Sequence, residues 1–249
     1  MTQFAPSYTP YPPEKPAAGL AQRATCLISL HECDKIRLLG LPTDIRPAFE
    51  QAISRGTYSV QSQGDYYGSY QYKLKGRPWW GQGDDAVRSR RLVVEIFRFM
   101  ESCGWTLLLS ADVSKKPYDK DTWFFRRRDV GHPLPIYTQF AAISFNRADL
   151  LRVIMAPPQV VEVITSTAQR CYPRGVQEIR HKDGFPEIKL RGYPWHASGG
   201  DTVLARQFLL EVIDALLRIG WTMYASCDIS TGTSNEHVDD VDSWVIASV

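Results

Sequence analysis

The sequence predicts an α+β fold made of two tandem copies of one domain. Each copy is ordered ββαβ(β)αββ, with an antiparallel or mixed sheet and two helices, and the copies are expected to be related by pseudo-twofold symmetry. Two pairs of sequence blocks and their common spacing carry this reading. Residues 73–80 read KLKGRPWW and residues 189–196 read KLRGYPWH, identical at five of eight positions. Residues 104–114 read GWTLLLSADVS and residues 220–230 read GWTMYASCDIS, identical at six of eleven. Both pairs are offset by 116 residues. Even the commonest residues occur at only about 7%, which would supply about one coincidence over these positions.

The match extends in both directions. Asp121, Thr122 and Trp123 answer Asp242, Ser243 and Trp244, after a five-residue insertion in the second copy. Upstream the offset becomes 115, where Ile28 and Ser29 answer Ile143 and Ser144, and Arg37 answers Arg152. The expected organisation is a disordered Pro-rich tail over 1–24, a first copy over 25–128, a linker over 129–138 and a second copy over 139–248. The linker reads DVGHPLPIYT, with two prolines and a glycine.

Within a copy, short apolar runs at 26–30 and 141–145 suit strands, as do 36–41 and 150–155, so each copy opens on a hairpin. Pro42 and the pair Pro157 and Pro158 mark a helix start, since proline is tolerated in the first turn. Residues 66–75 and 176–191 alternate polar with apolar and read as one or two exposed strands. A second helix follows. Val93, Ile96, Phe97, Met100 and Cys103 share one face, matched by Leu209, Val212, Ile213, Leu216 and Ile219. Asp84, Asp85 and Asp201 suit its N-terminus, and Gly104 and Gly220 its left-handed end. Leu107, Leu109, Ala111 and Val113 alternate as a strand, and a last strand runs from Trp123 or Trp244.

Composition narrows the function classes. Apolar residues make up 44% of 249, enough for a core, and 29 basic against 27 acidic residues leave a net charge of +2 and no global basic field. No run approaches the roughly 20 apolar residues of a membrane span. Residues 1–23 lack a basic start and apolar middle, and the five cysteines are scattered without a CxxC pair, so reduced thiols and a cytoplasmic location are expected. No nucleotide-loop pattern is present, and no cofactor is expected.

The candidate binding residues centre on the repeated block. Trp79, Trp80 and Trp195 could stack on a ring, with Lys73, Lys75, Lys189 and Arg191 attracting anions. The competing reading is structural: Gly-x-Pro-Trp ends a strand sharply and the Trp plugs the sheet edge. Trp80 differs, because His196 answers it and packing demands no aromatic there. Arg126, Arg127 and Arg128 form a local cationic run that could bind anions or simply sit at the surface. The blocks at 81–85 (GQGDD) and 198–201 (SGGD) read as helix caps rather than anion loops, their aspartates repelling phosphate. Ser110, Asp112 and Ser114, answered by Ser226, Asp228 and Ser230, could form a carboxylate site with Asp121 and Asp242, or cap turns. His237 with Asp239 and Asp240 reads as a solvated acidic loop, and PYPPEKP at 10–16 as a polyproline II stretch.

The function expected from these residues is that of a non-catalytic intracellular binding or adaptor protein, showing aromatic and basic surface to a protein or ligand partner. The reason is that the repeated residues are Gly, Pro, Trp and helix-face apolars, while no catalytic set recurs. The alternatives are recognition of an anion, either acidic lipid or single-stranded nucleic acid, and a metal-dependent enzyme with carboxylates between the copies.

Overall fold

The computed structural model describes residues 23–80, 83–114, 120–182, 184–229 and 241–249. The Pro-rich tail, the acidic loop with His237, Ser230 and part of the GQGDD block lie outside them. The first copy runs β1 (Thr25–His31), β2 (Lys35–Leu39), α1 (Arg46–Arg55), β3 (Val60–Tyr66), β4 (Ser69–Leu74), α2 (Gly83–Ser102), β5 (Trp105–Ala111) and β6 (Thr122–Arg127). The second repeats it: β7 (Gln139–Asn146), β8 (Leu150–Ile154), α3 (Pro158–Cys171), β9 (Val176–Lys182), β10 (Phe185–Leu190), α4 (Gly200–Arg218), β11 (Trp221–Cys227) and β12 (Ser243–Ser248). Each copy forms one six-stranded sheet, ordered β3-β4-β2-β1-β6-β5 and β9-β10-β8-β7-β12-β11, and every pairing is antiparallel. The register repeats as well: Ile28 faces Trp123 as Ile143 faces Trp244.

Local chemistry sets the element ends. Gly104 and Gly220, both at φ +80, turn the chain out of α2 and α4, a conformation that costs other residues a Cβ clash. Their N–H groups donate to the carbonyls of Glu101 and Leu217. The strands after them depart from strict alternation. A bulge between Leu107 and Leu109 leaves both Leu108 and Leu109 exposed, and β11 bulges at the same place. The stretches expected to form one or two exposed strands form two each, and β10 is almost wholly buried, because both faces of its sheet are covered.

The layers are unequal. The inner face of the first sheet, including Ile28, Leu30, Ile36, Tyr72, Trp123 and Phe125, packs on α1 and α2. The second sheet packs one face on α3 and α4 through Ile143, Phe145, Leu151 and Ile188. Its other face, with Phe140, Ala142, Ile154, Ala225 and Val245, joins the core around α2. Helix α2 is therefore held between two sheets, and is buried on nearly all sides. Among the described residues no helix covers the outer face of the first sheet. Equivalent edge strands do meet, β5 against β11, as a twofold relation would place them, but the helical layers follow one another face to back.

At this junction Asp121 is the clamp. Its backbone N–H donates to the Asp228 carbonyl at 3.1 Å, and its carboxylate accepts from Asp228 N–H at 2.9 Å and from the Ser110 hydroxyl at 2.8 Å. Arg90 donates to the Ser243 hydroxyl at 2.9 Å, and the Tyr224 hydroxyl donates to Glu101 at 3.0 Å. Burial pushes the Asp121 carboxyl above its ordinary value of 3.8, with Asp242 and Asp112 pushing the same way, against the lowering effect of its two donors. A raised folded-state value means that its contribution is full below 3.8 and is lost as pH rises through that raised value. Asp121→Asn keeps an acceptor and removes the charge. The melting temperature of the variant minus that of the parent is expected to grow as pH rises from below 3.8 to neutral; a difference that shrinks would show that the carboxylate form is the favoured one.

Candidate functional site

The repeated block is a lock between hairpins, built identically twice. Leu74 N–H donates to the Asp34 carbonyl at 2.8 Å and Trp79 N–H to Cys33 at 3.1 Å, while the Trp79 indole donates to the Lys35 carbonyl at 3.0 Å. In the second copy Leu190 donates to Asp149 at 2.9 Å, Trp195 to Ala148 at 3.1 Å, and the Trp195 indole to Leu150 at 3.0 Å. The chain after the KL(K/R)GxPW strand is thus tied to the turn of the opening hairpin. Lys73 and Lys189 lie 3.9 Å from Asp34 and Asp149, completing the same lock.

These placements correct several expectations. Trp79 is fully buried and is a core residue, not part of a contact surface. Trp195 is half-buried and packs edge-on against Phe145. Lys73 and Lys189 are paired with aspartates. The cationic run is turned inward on the chain: Arg126 donates to the carbonyls of Val130 and His132, Arg127 grips Asp129, and Arg128 bonds both the carbonyl and carboxylate of Glu101. It forms no free anion cradle. Trp80 remains at the surface with the Arg77 guanidinium 4.5 Å over its ring, and Lys75 and Arg191 are exposed. The Ser/Asp pairs recur, Ser110 with Asp121 and Ser226 with Asp242 at 2.9 Å, and serve as turn and junction bonds. Among the described residues no group of three or more His, Cys, Asp or Glu is placed to hold a metal ion. Of the five cysteines, all free, Cys26 and Cys227 are buried, and burial pushes both thiols up, away from the reactive thiolate.

The surface that the sequence reading missed is the uncovered face of the first sheet. Alternation puts Leu27, Ser29 and His31 of β1 on it, with Lys35, Arg37 and Leu39 of β2 and Thr122, Phe124 and Arg126 of β6. A cleft of about 430 Å³ opens there between Leu27, Arg37, Val113 and Phe124. Arg37 donates to Gln71 at 2.9 Å and stacks 4.1 Å over the Tyr66 ring, so the face is aromatic, apolar and basic together. Residue type gave no signal for it: both strands read as apolar runs, yet TCLISLH buries every second residue whereas FAAISF in β7 is buried throughout.

One domain-family model matches the chain twice, over residues 24–126 and 139–247, and the chain belongs to that family as a tandem pair of its domain. No curated protein and no solved structure matches it. No helix among the described residues is long and apolar enough to cross a membrane.

The lock makes a measurable difference between the two neighbouring tryptophans. Trp79→Ala should cost about 3–5 kcal/mol in urea unfolding, from cavity formation and an orphaned Lys35 carbonyl. Trp80→Ala should cost less than about 1 kcal/mol, the scale of an exposed cation–π pair. Equal losses would show that the two rings are not divided between core and surface.

Proposed function

We propose that the protein is a non-catalytic binding protein of the adaptor kind, and that the uncovered face of its first sheet receives an amphipathic helix of a protein partner. One observation carries this reading: the same face of the second sheet, in the same chain, is covered by helix α2. The domain is thus of a kind that accepts a helix on the back of its sheet. Leu27, Leu39 and Phe124 supply apolar contact, and Lys35 and Arg37 favour a helix with carboxylates beside its apolar stripe. On this proposal the binding surface is basic and aromatic through residues outside the repeated block, Arg37 and Tyr66 among them. Recognition of a lipid or nucleic-acid anion is less well supported, because the Arg126–Arg128 guanidiniums are occupied within the chain.

A photo-reactive phenylalanine analogue placed at Leu39 tests this, with the same analogue at the exposed Tyr193 of the second copy as control. The Leu39 position should give partner adducts that map to helical peptides and disappear with Phe124→Asp. Absence of adducts at Leu39, or equal adducts at Tyr193, overturns the proposal.

A further inference from the structure

Resting on that reading, we infer that the helix comes from a second copy of this chain: the outer face of α4 seats on the uncovered sheet of the next molecule. This repeats between chains the seating of α2 on the back of the second sheet, while the β5–β11 edge contact stays within each chain.

Helix α4 carries an exposed apolar stripe, Val203, Leu210 and Leu217, at 54%, 59% and 53% exposure. Their equivalents on α2, by the 116-residue offset, are Val87, Val94 and Glu101, all buried. Arg90 and Glu101 lie on that same side of α2, at about 3.6 residues per turn, and both bond the second sheet. The stripe on α4 is thus the counterpart of a surface that already docks on a sheet of this family.

Two contacts and one shared cleft inside the chain have matched counterparts at its two ends, of which Thr122 is buried at the floor of its cleft. Arg90 donates to Ser243; Arg206 answers Arg90, and Thr122, in the cleft of the uncovered face, answers Ser243. The two arginines are held alike, each donating to the carbonyl four residues earlier, Ala86 at 3.2 Å and Thr202 at 3.1 Å. Glu101 accepts from Tyr224; here Leu217 answers Glu101 and Leu108 answers Tyr224, so a polar pair becomes an apolar pair, and Leu108 is itself 53% exposed. Arg98 shares a cleft of about 290 Å³ with Thr138; Asp214 answers Arg98 and Arg23 answers Thr138, so opposite charges meet. Both sides change together in the last two pairs, and each new pair is complementary.

Because the two surfaces differ, the contact is heterologous, and assembly continues head to tail until a ring closes or a filament grows. Sedimentation velocity of the full chain should show a mass that rises with concentration through the micromolar range and passes beyond two chains. Leu210→Glu, or Leu217→Glu as a second helix variant, leaves only the sheet face working. Leu108→Glu leaves only the helix face. All three positions are exposed, so unchanged thermal melting is expected. Each variant alone should stay a single chain, and an equal mixture of a helix variant with Leu108→Glu should form two-chain complexes and nothing longer. A parent chain that stays single at every concentration overturns self-assembly, as do variants that assemble like the parent or mixtures that do not pair. Adducts at Leu39 with a different protein would then leave the open-face reading standing.

Discussion

The structure depends on the enclosure of α2. This helix belongs to the first copy by sequence, yet it builds both the core of its own domain and the contact with the next. Val93, Ile96 and Met100 join it to the first core, and Arg90 and Glu101 bond the second sheet. Hydrophobic burial on opposite sides of one helix removes the usual freedom of two linked domains to move independently. The buried arginine and glutamate are tolerated because each has a partner: an isolated charge at these depths would cost several kcal/mol, by about the scale of an unpaired buried ion. The Tyr224 ring stacks edge-on between Phe140 and Tyr137 and lies tilted against Phe97, so the Glu101 bond is fixed by aromatic packing from both copies.

That enclosure explains why two copies with the same topology have different surfaces. The second sheet presents apolar side chains in both directions, and its charged pair, Arg152 with Glu187 at 2.6 Å, is buried. The corresponding pair on the first sheet is Arg37 with the neutral Gln71, at a half-buried face. The buried Arg152 has a charged partner, while the half-buried Arg37 has a neutral one, as the cost of desolvating an ion favours. The helices differ in the same sense. Every position of α2 from Arg90 to Glu101 is buried or half-buried, whereas α4 alternates between a buried stripe and an open one.

The repeated KL(K/R)GxPW block is the most visible feature of the sequence, and its work is structural. Each indole N–H reaches a carbonyl of the opening hairpin, so a Trp is needed for its donor as well as its volume. Repetition within a chain selects for what both domains need in order to fold. The face with Leu27 and Phe124, open in one copy and covered in the other, carries no repeated signature.

The sequence by itself determined the duplication, the order of strands and helices, and the ends of α2 and α4 at Gly104 and Gly220. These follow from local requirements: period, turn conformation and recurrence at a fixed offset. The strands TCLISLH and FAAISF read alike as apolar runs, and only the covering of one or both sheet faces makes the first buried at alternate residues and the second buried throughout. Only the tertiary structure decided which tryptophan is core and which is surface, how the Arg126–Arg128 run is occupied, and which face stays open. Those outcomes depend on partners far apart in the chain, Arg90 with Ser243 and Asp121 with Asp228, and no spacing within one copy records a contact made between two.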